Sequence, residues 1–322
     1  MPLIDLPTKQ QYDFEAFLLI GSALKLVFDV VKSKSEAIDA GISIDDDVDT
    51  KAYEAACQHQ LKNALVFAQQ AYEMYLRGVV CEISPYLLVP DQQGWIKKAG
   101  SGDVRFSEVR SVQAAELPNL INAVSKDRLE DATISIFGKL RELRNRLVHA
   151  TAEIKIARQQ LLHQISHLVK LMGYPNCIIA FVNYEARSHS SILFDLYEEQ
   201  GNETNQAQDI LRAARLEFGI SFADEVLLGL EYVADGVCPE CFLNFDQNYG
   251  TISNFQKTAV VTPEYLLCGV CGSKSDMVRL PNNHTAIYSL RDRRQVIFIN
   301  SSGEFHNGNV DDCISLYKSR FN

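Results

Sequence analysis

The chain has 322 residues, 47% hydrophobic and 22% charged, which allows two domains with buried cores and excludes a collagenous, low-complexity or wholly disordered chain. No run approaches the about 18 consecutive apolar residues that span a bilayer, and Met1-Pro2-Leu3-Ile4-Asp5 lacks a basic region followed by an apolar one, so no membrane partner is expected and the predicted location is the cytoplasm. The formal charge of −10 argues against a nucleic-acid surface over the whole chain, but the charge is uneven: residues 101–172 carry 11 basic and 8 acidic side chains, whereas 173–236 carry 3 and 11.

From position 12 to about 34, Phe14, Phe17, Leu18, Leu24, Val27 and Val31 form an apolar band at helical spacing. The acidic run 44–50 breaks it. A second helix is predicted from Asp49 or Thr50, either of which can cap it, through Leu61, Leu65, Tyr72 and Leu76 to about Ile83, where Ser84-Pro85 ends it. Residues 85–112, with Pro90, Gly94, Trp95, Gly100 and Gly102, read as an excursion between helices. Within it Ala99-Gly100-Ser101-Gly102-Asp103 reads as a turn, because neither a Lys-Ser/Thr pair nor GxGxxG follows. Helical periodicity returns over 117–124, 130–149 and 152–172, and the resulting helices predict an antiparallel bundle before Gly173-Tyr174-Pro175.

The densest basic patch is Lys139-Leu140-Arg141-Glu142-Leu143-Arg144-Asn145-Arg146-Leu147-Val148-His149-Ala150. At about 100° per residue, Ile136, Leu140, Leu143 and Leu147 fall within about 60° and predict the core stripe, with Arg141, Asn145 and His149 on the opposite side. One reading is structural: Arg141, Arg144 and Arg146 pair with Glu142 and other acids, and His149 is favoured by the helix dipole.

Arg144-Asn145-Arg146-Leu147-Val148-His149, with a polar residue after the arginine and small Ala150 after the histidine, resembles the HEPN superfamily. These are helical-bundle proteins, many of them RNases marked by an arginine, about four to six residues, then a histidine. The run from Ala64 to Arg77 looks like the family's preceding helix, and the resemblance covers residues 12–172. It implies catalytic roles for Arg144, Asn145 and His149. His149 would take the proton of an RNA 2′-hydroxyl or return one to the departing 5′-oxygen, and Arg144 would hold the scissile phosphate. Arg141 and Arg146 are the expected RNA-binding residues. Because Arg144 and His149 lie about 140° apart on one helix, the resemblance implies a homodimer whose two motifs line one cleft. No catalytic metal is needed, and the implied products carry a cyclic phosphate and a free 5′-hydroxyl. Some family toxins carry, two residues after the histidine, a tyrosine modified by a nucleotidyltransferase antitoxin; here Thr151 stands there, so that route of regulation is not expected.

Residues 176–236 read as an acidic helical connector broken at Asn202-Glu203-Thr204-Asn205. After Gly236 short β-rich runs over 258–261, 285–290 and 295–299 predict a small α+β domain. Its two knuckles, Cys238-Pro239-Glu240-Cys241 and Cys268-Gly269-Val270-Cys271, bring four thiolates to one ion, the tetrahedral set that Zn²⁺ prefers. Four thiolates close the coordination shell, so the expected zinc is structural, and residues 238–271 resemble a zinc ribbon. His163 and His167 lack the glutamate of HExxH and are expected at the surface of the fifth helix.

The sequence thus predicts a mainly α protein: a HEPN-like bundle over 1–172, an acidic helical connector over 173–236 and a zinc-ribbon-like domain over 237–322. The leading function is a metal-independent endoribonuclease, a toxin or anti-phage effector with RNA as substrate and an antitoxin or defence-system protein as a further partner. Two alternatives stand beside it. One is a noncatalytic HEPN-like scaffold that binds nucleotide or protein; the other is a zinc-ribbon transcription accessory factor, which the balanced charge of 237–322 disfavours despite the cluster Arg291, Arg293 and Arg294.

Overall fold

The computed structural model describes residues 3–41, 47–90, 102–149, 154–189, 202–231, 234, 238, 240–241, 256–261, 265–279, 285–288, 295–299 and 305–309. They are mainly helical with a small sheet and divide into two compact units, one of residues 1–30 and 43–173, the other of 31–42 and 174–322. Gly94, Trp95, the turn at 99–101, Ala150, Thr151 and the arginines at 291, 293 and 294 lie outside the described residues.

In the first unit α1 (Lys9–Asp39, shared with the second unit beyond Val30) runs antiparallel to α2 (Asp47–Ile83). Tyr53 Oη donates to Val30 O at one end (2.9 Å), and Lys9 Nζ meets Glu82 Oε2 at the other (2.6 Å). Between these ties Gly78 lets the helices close up: a Cβ there would sit 2.9 Å from Asp13 Oδ1. Leu61, Leu65, Tyr72 and Leu76 of α2 are wholly buried, since α3 (Leu117–Val124), α4 (Asp131–His149) and α5 (Arg158–Leu171) all pack on this one helix. Helix α1 begins and ends a few residues beyond the predicted bounds. Pro85, which has no N–H to continue α2, turns the chain into a short 3₁₀ segment, Pro85–Leu88. A two-residue parallel pair, β1 (Leu3–Ile4) with β2 (Val104–Arg105), buries Leu3, Val89 and Val104 together.

The expected helix over 152–172 begins later, at Arg158. Ile154 and Ile156 are both buried with Lys155 exposed between them, the period of two of an extended chain. Gln58 on α2 holds this stretch as a strand neighbour would: its Nε2 donates to Ile156 O (3.2 Å) and its Oε1 accepts from Ile156 N (2.7 Å). The expected surface position of His167 is also corrected. His163 is exposed, but His167 turns inward, its Nδ1 2.7 Å from Tyr72 Oη.

In the second unit α6 (Cys177–His189), α7 (Asn202–Phe218) and α8 (Ile220–Leu227) pack on one another. Asn202 to Asn205, expected as a break, form the start of α7; polar residues that interrupt one helix also favour the first turn of the next. The sheet is an antiparallel meander in chain order: β3 (Ala259–Val261), β4 (Tyr265–Cys268), β5 (Lys274–Arg279), β6 (Thr285–Tyr288), β7 (Gln295–Ile299) and β8 (Phe305–Asn309). Half-buried Arg215 and buried Asp224 join α7 to α8. The Arg215 Nη2 that reaches Asp224 Oδ1 (2.7 Å) also donates to Lys257 O (2.7 Å), just before β3.

Burial, aided by His163 and Lys170, holds the His167 imidazole below its usual 6.5. Protonation therefore favours the unfolded chain: the contribution is fully present above about pH 6.5 and is lost as pH falls below it. Urea titrations between about pH 7.5 and 5.5 should show stability dropping on acidification, with a shallower drop in His167→Gln. An identical pH profile in the two proteins would contradict this role.

Candidate functional site

Helix α4 begins at Asp131 and carries Arg146 and His149 in its last turn, charges that suit the two ends of the helix dipole. Its buried residues are Thr133, Phe137 and Leu140, while Ile136, Leu143 and Leu147 are half-buried, so the stripe centres on Phe137 instead of Ile136. Phe137 packs against Tyr72 of α2 (ring centroids 6.2 Å apart), and this contact sets the azimuth of the whole helix. One turn beyond Leu140 the same stripe carries Arg144.

Arg144 is accordingly half-buried. Its Nη1 donates to Asn145 Oδ1 (3.2 Å), whereas its Nε is buried without a hydrogen-bond partner. Arg141 and Asn145 are half-buried; Arg146 and His149 are exposed. The structure therefore couples Arg144 with Asn145 and leaves His149 outside that contact. Among the described residues none of Arg141, Arg144 and Arg146 is ion-paired, so the pairing with Glu142 that a purely structural reading expects is not seen there. Arg144 and His149 diverge by about 140° and are offset by about 7.5 Å along the helix.

In the second unit the Sγ atoms of Cys238, Cys241, Cys268 and Cys271 all lie within 4.8 Å of one another. Cys238 and Cys271 are 3.5 Å apart and Cys241 and Cys268 3.7 Å, too long for disulfides but near the about 3.8 Å separation of thiolates on one tetrahedral ion. The four cysteines can thus hold a metal ion. Around them Val270 N donates to Cys268 Sγ (3.3 Å), and Ser273 Oγ lies 2.9 Å from Cys271 Sγ and 3.3 Å from Cys238 Sγ. Hydrogen bonds with Cys238, then Cys241 and Cys268, hold the Cys271 thiol well below the usual range; the bond with Cys238, with those to Cys268 and Cys271 and burial, pushes Cys241 up. Sulfurs this close cannot all be charged without a cation among them.

The second knuckle is positioned from outside the cysteine motif. Asn176 caps α6 by accepting from Ile179 N through Oδ1 (2.9 Å), while its Nδ2 donates to Leu228 O (3.0 Å) and Gly269 O (2.5 Å). Gly269 has no room for a side chain, because a Cβ would lie 2.7 Å from that of Leu228. Residues 176 and 228 fall in the predicted connector, and nothing local in the sequence signals that they hold a knuckle. Thr258, whose Oγ1 lies 3.5 Å from Cys268 Sγ, and Ser273, two residues beyond the final cysteine, likewise stand outside the cysteine motif.

Replacing Cys241 by serine should take the metal content of the purified protein from about one ion per chain to none and lower the melting temperature. Elemental mass spectrometry with a thermal melt measures both. Unchanged metal content in Cys241→Ser would contradict the four-thiolate site.

Comparison of the chain with family models, curated proteins and solved structures finds no match.

Proposed function

We propose that this protein is a metal-independent endoribonuclease of the HEPN type that acts as a homodimer on RNA, in the role of a toxin or anti-phage effector. The observation that carries the reading is the state of α4: Arg144 is tied to Asn145 and to no carboxylate among the described residues, and an exposed His149 ends the same helix. A guanidinium free of acidic partners is available to a phosphate. An exposed imidazole can exchange protons with a substrate near neutral pH.

Divergence of the two side chains along one helix supports a cleft formed by two copies. Val148, 57% exposed between Arg146 and His149, supports it further, as an apolar side chain that a second chain would cover. In the resulting cleft Arg144 holds the scissile phosphate, Asn145 orients the arginine, and His149 moves the proton of the attacking 2′-hydroxyl or of the leaving 5′-oxygen. Arg141 and Arg146 bind flanking phosphates. The four cysteines hold a zinc ion with a complete thiolate shell, a structural role that leaves no open position for water.

One observation favours a noncatalytic scaffold as the second reading: Arg144 shares the inward stripe with Phe137 and Leu140, where a long side chain also serves packing.

Total cellular RNA incubated with the full chain in excess EDTA separates the two. Cleavage by wild type, reduced by at least about a hundredfold in His149→Ala and in Arg144→Ala, is the expected result. RNA left intact by wild type, or cleavage that survives both substitutions, would overturn the catalytic assignment.

A further inference from the structure

We propose that a second feature of the first unit, a basic groove between α2 and the extended segment at Ile154, is a track for the phosphates of single-stranded RNA. The groove encloses about 490 Å³ and is lined by Lys51, Glu54, Gln58, His59 and Lys62 on one side and by Ile154 and Lys155 on the other. Positions 51, 55, 58 and 62 share one face of α2, and Gln58 in their middle fixes the opposite wall through its paired hydrogen bonds to Ile156.

Charge identifies the occupant as an anion. Three lysines and a histidine line the groove of a chain whose net charge is −10, and the carboxylate among them, Glu54, is bonded to Arg158. Among the described residues none of Lys51, Lys62 and Lys155 is ion-paired. Lys51, His59 and Lys155 are exposed and Lys62 is half-buried, so their ammonium and imidazole groups reach solvent.

Spacing identifies the anion as a strand. Lys51 and Lys62 are separated by eleven residues of continuous helix, about 16 Å along its axis, which is more than a single phosphate or mononucleotide spans. Apart from His59 no ring lines the groove among the described residues, so recognition is of the backbone and indifferent to base sequence. In the sequence four aspartates, at 45, 46, 47 and 49, precede Lys51. At the other end the chain itself limits the distance to the candidate site. Ile154 follows His149 by five residues, which no conformation can stretch beyond about 18 Å. One strand can therefore engage the lysines and lie within a few nucleotides of His149.

The inference rests on RNA being the ligand of this protein, but not on cleavage. It is tested by fluorescence anisotropy with a labelled single-stranded RNA of about 15 nucleotides, in a His149→Ala background that leaves the probe intact. Lys51→Gln, Lys62→Gln and Lys155→Gln together should weaken binding by about tenfold or more and reduce the slope of log affinity against log salt by about 2. Excess AMP or inorganic phosphate should fail to displace the RNA. Affinity and slope unchanged by the three substitutions would overturn the track, as would displacement of the RNA by AMP, which would mark a mononucleotide pocket. The two proposals fail separately. Wild type that binds through the lysines and cuts nothing keeps the track and removes the nuclease; His149-dependent cleavage with silent lysines does the reverse.

Discussion

Tyr72 lies at the centre of the first unit, wholly buried on α2, with Phe137 of α4 against its ring and His167 of α5 on its hydroxyl. A buried phenol needs a polar partner, and His167 supplies one; a buried ring needs neighbours, and Phe137 is among them. The orientation of α4 follows from this packing. With Phe137 and Leu140 inward, Arg144 must lie at the edge of the same stripe and His149 must face out. The candidate chemistry is therefore a consequence of core packing two turns away, and α4 could not rotate to bring Arg144 outward without exposing Phe137. The same helix α2 carries Gln58, which shapes the basic groove. Core packing and the candidate groove thus draw on one helix, with Gln58 about 40° from Tyr72 around its axis.

The second unit solves a different problem. Its cysteine cluster joins Cys238 and Cys241 to the β4–β5 turn, and the helices before it complete the structure around that turn. Asn176 and Arg215 each tie a helix to backbone near the cluster, the first at Gly269 and the second at Lys257. A metal held by the four thiolates would add free energy of folding to hydrogen bonds that already converge on the same few residues.

Much of this was legible in the sequence because periodicity and thiol spacing are local signals. The bands that predict α1 and α2, the Ser84-Pro85 stop and the paired knuckles all rest on residues within a few turns of each other. What was hidden depends on partners far away in the chain. His167 becomes an inward residue only because Tyr72, 95 positions earlier, offers its hydroxyl. Ile154 and Ile156 do alternate around Lys155, a signal too short to outweigh the helical pattern that follows it. The groove lysines sit at helical spacing on α2, but nothing before the fold says which chain segment lies opposite them. Strands β4, β5 and β8 carry no apolar alternation to signal them: Phe305-His306-Asn307-Gly308-Asn309 pairs with β7 through its backbone. At α4 the basic patch is visible in the sequence, while the shift of the stripe to Phe137 depends on Tyr72.

In the proposed reaction His149 and Arg144 use the RNA's own 2′-hydroxyl to break the chain. The most direct test compares an RNA oligonucleotide cut at a mapped position with one carrying a single 2′-deoxy sugar immediately 5′ of that position, and identifies the new ends. A cyclic phosphate and a free 5′-hydroxyl are expected from the first and no cut at that position in the second. Cleavage of the deoxy-substituted site, or products bearing a 5′-phosphate, would contradict it.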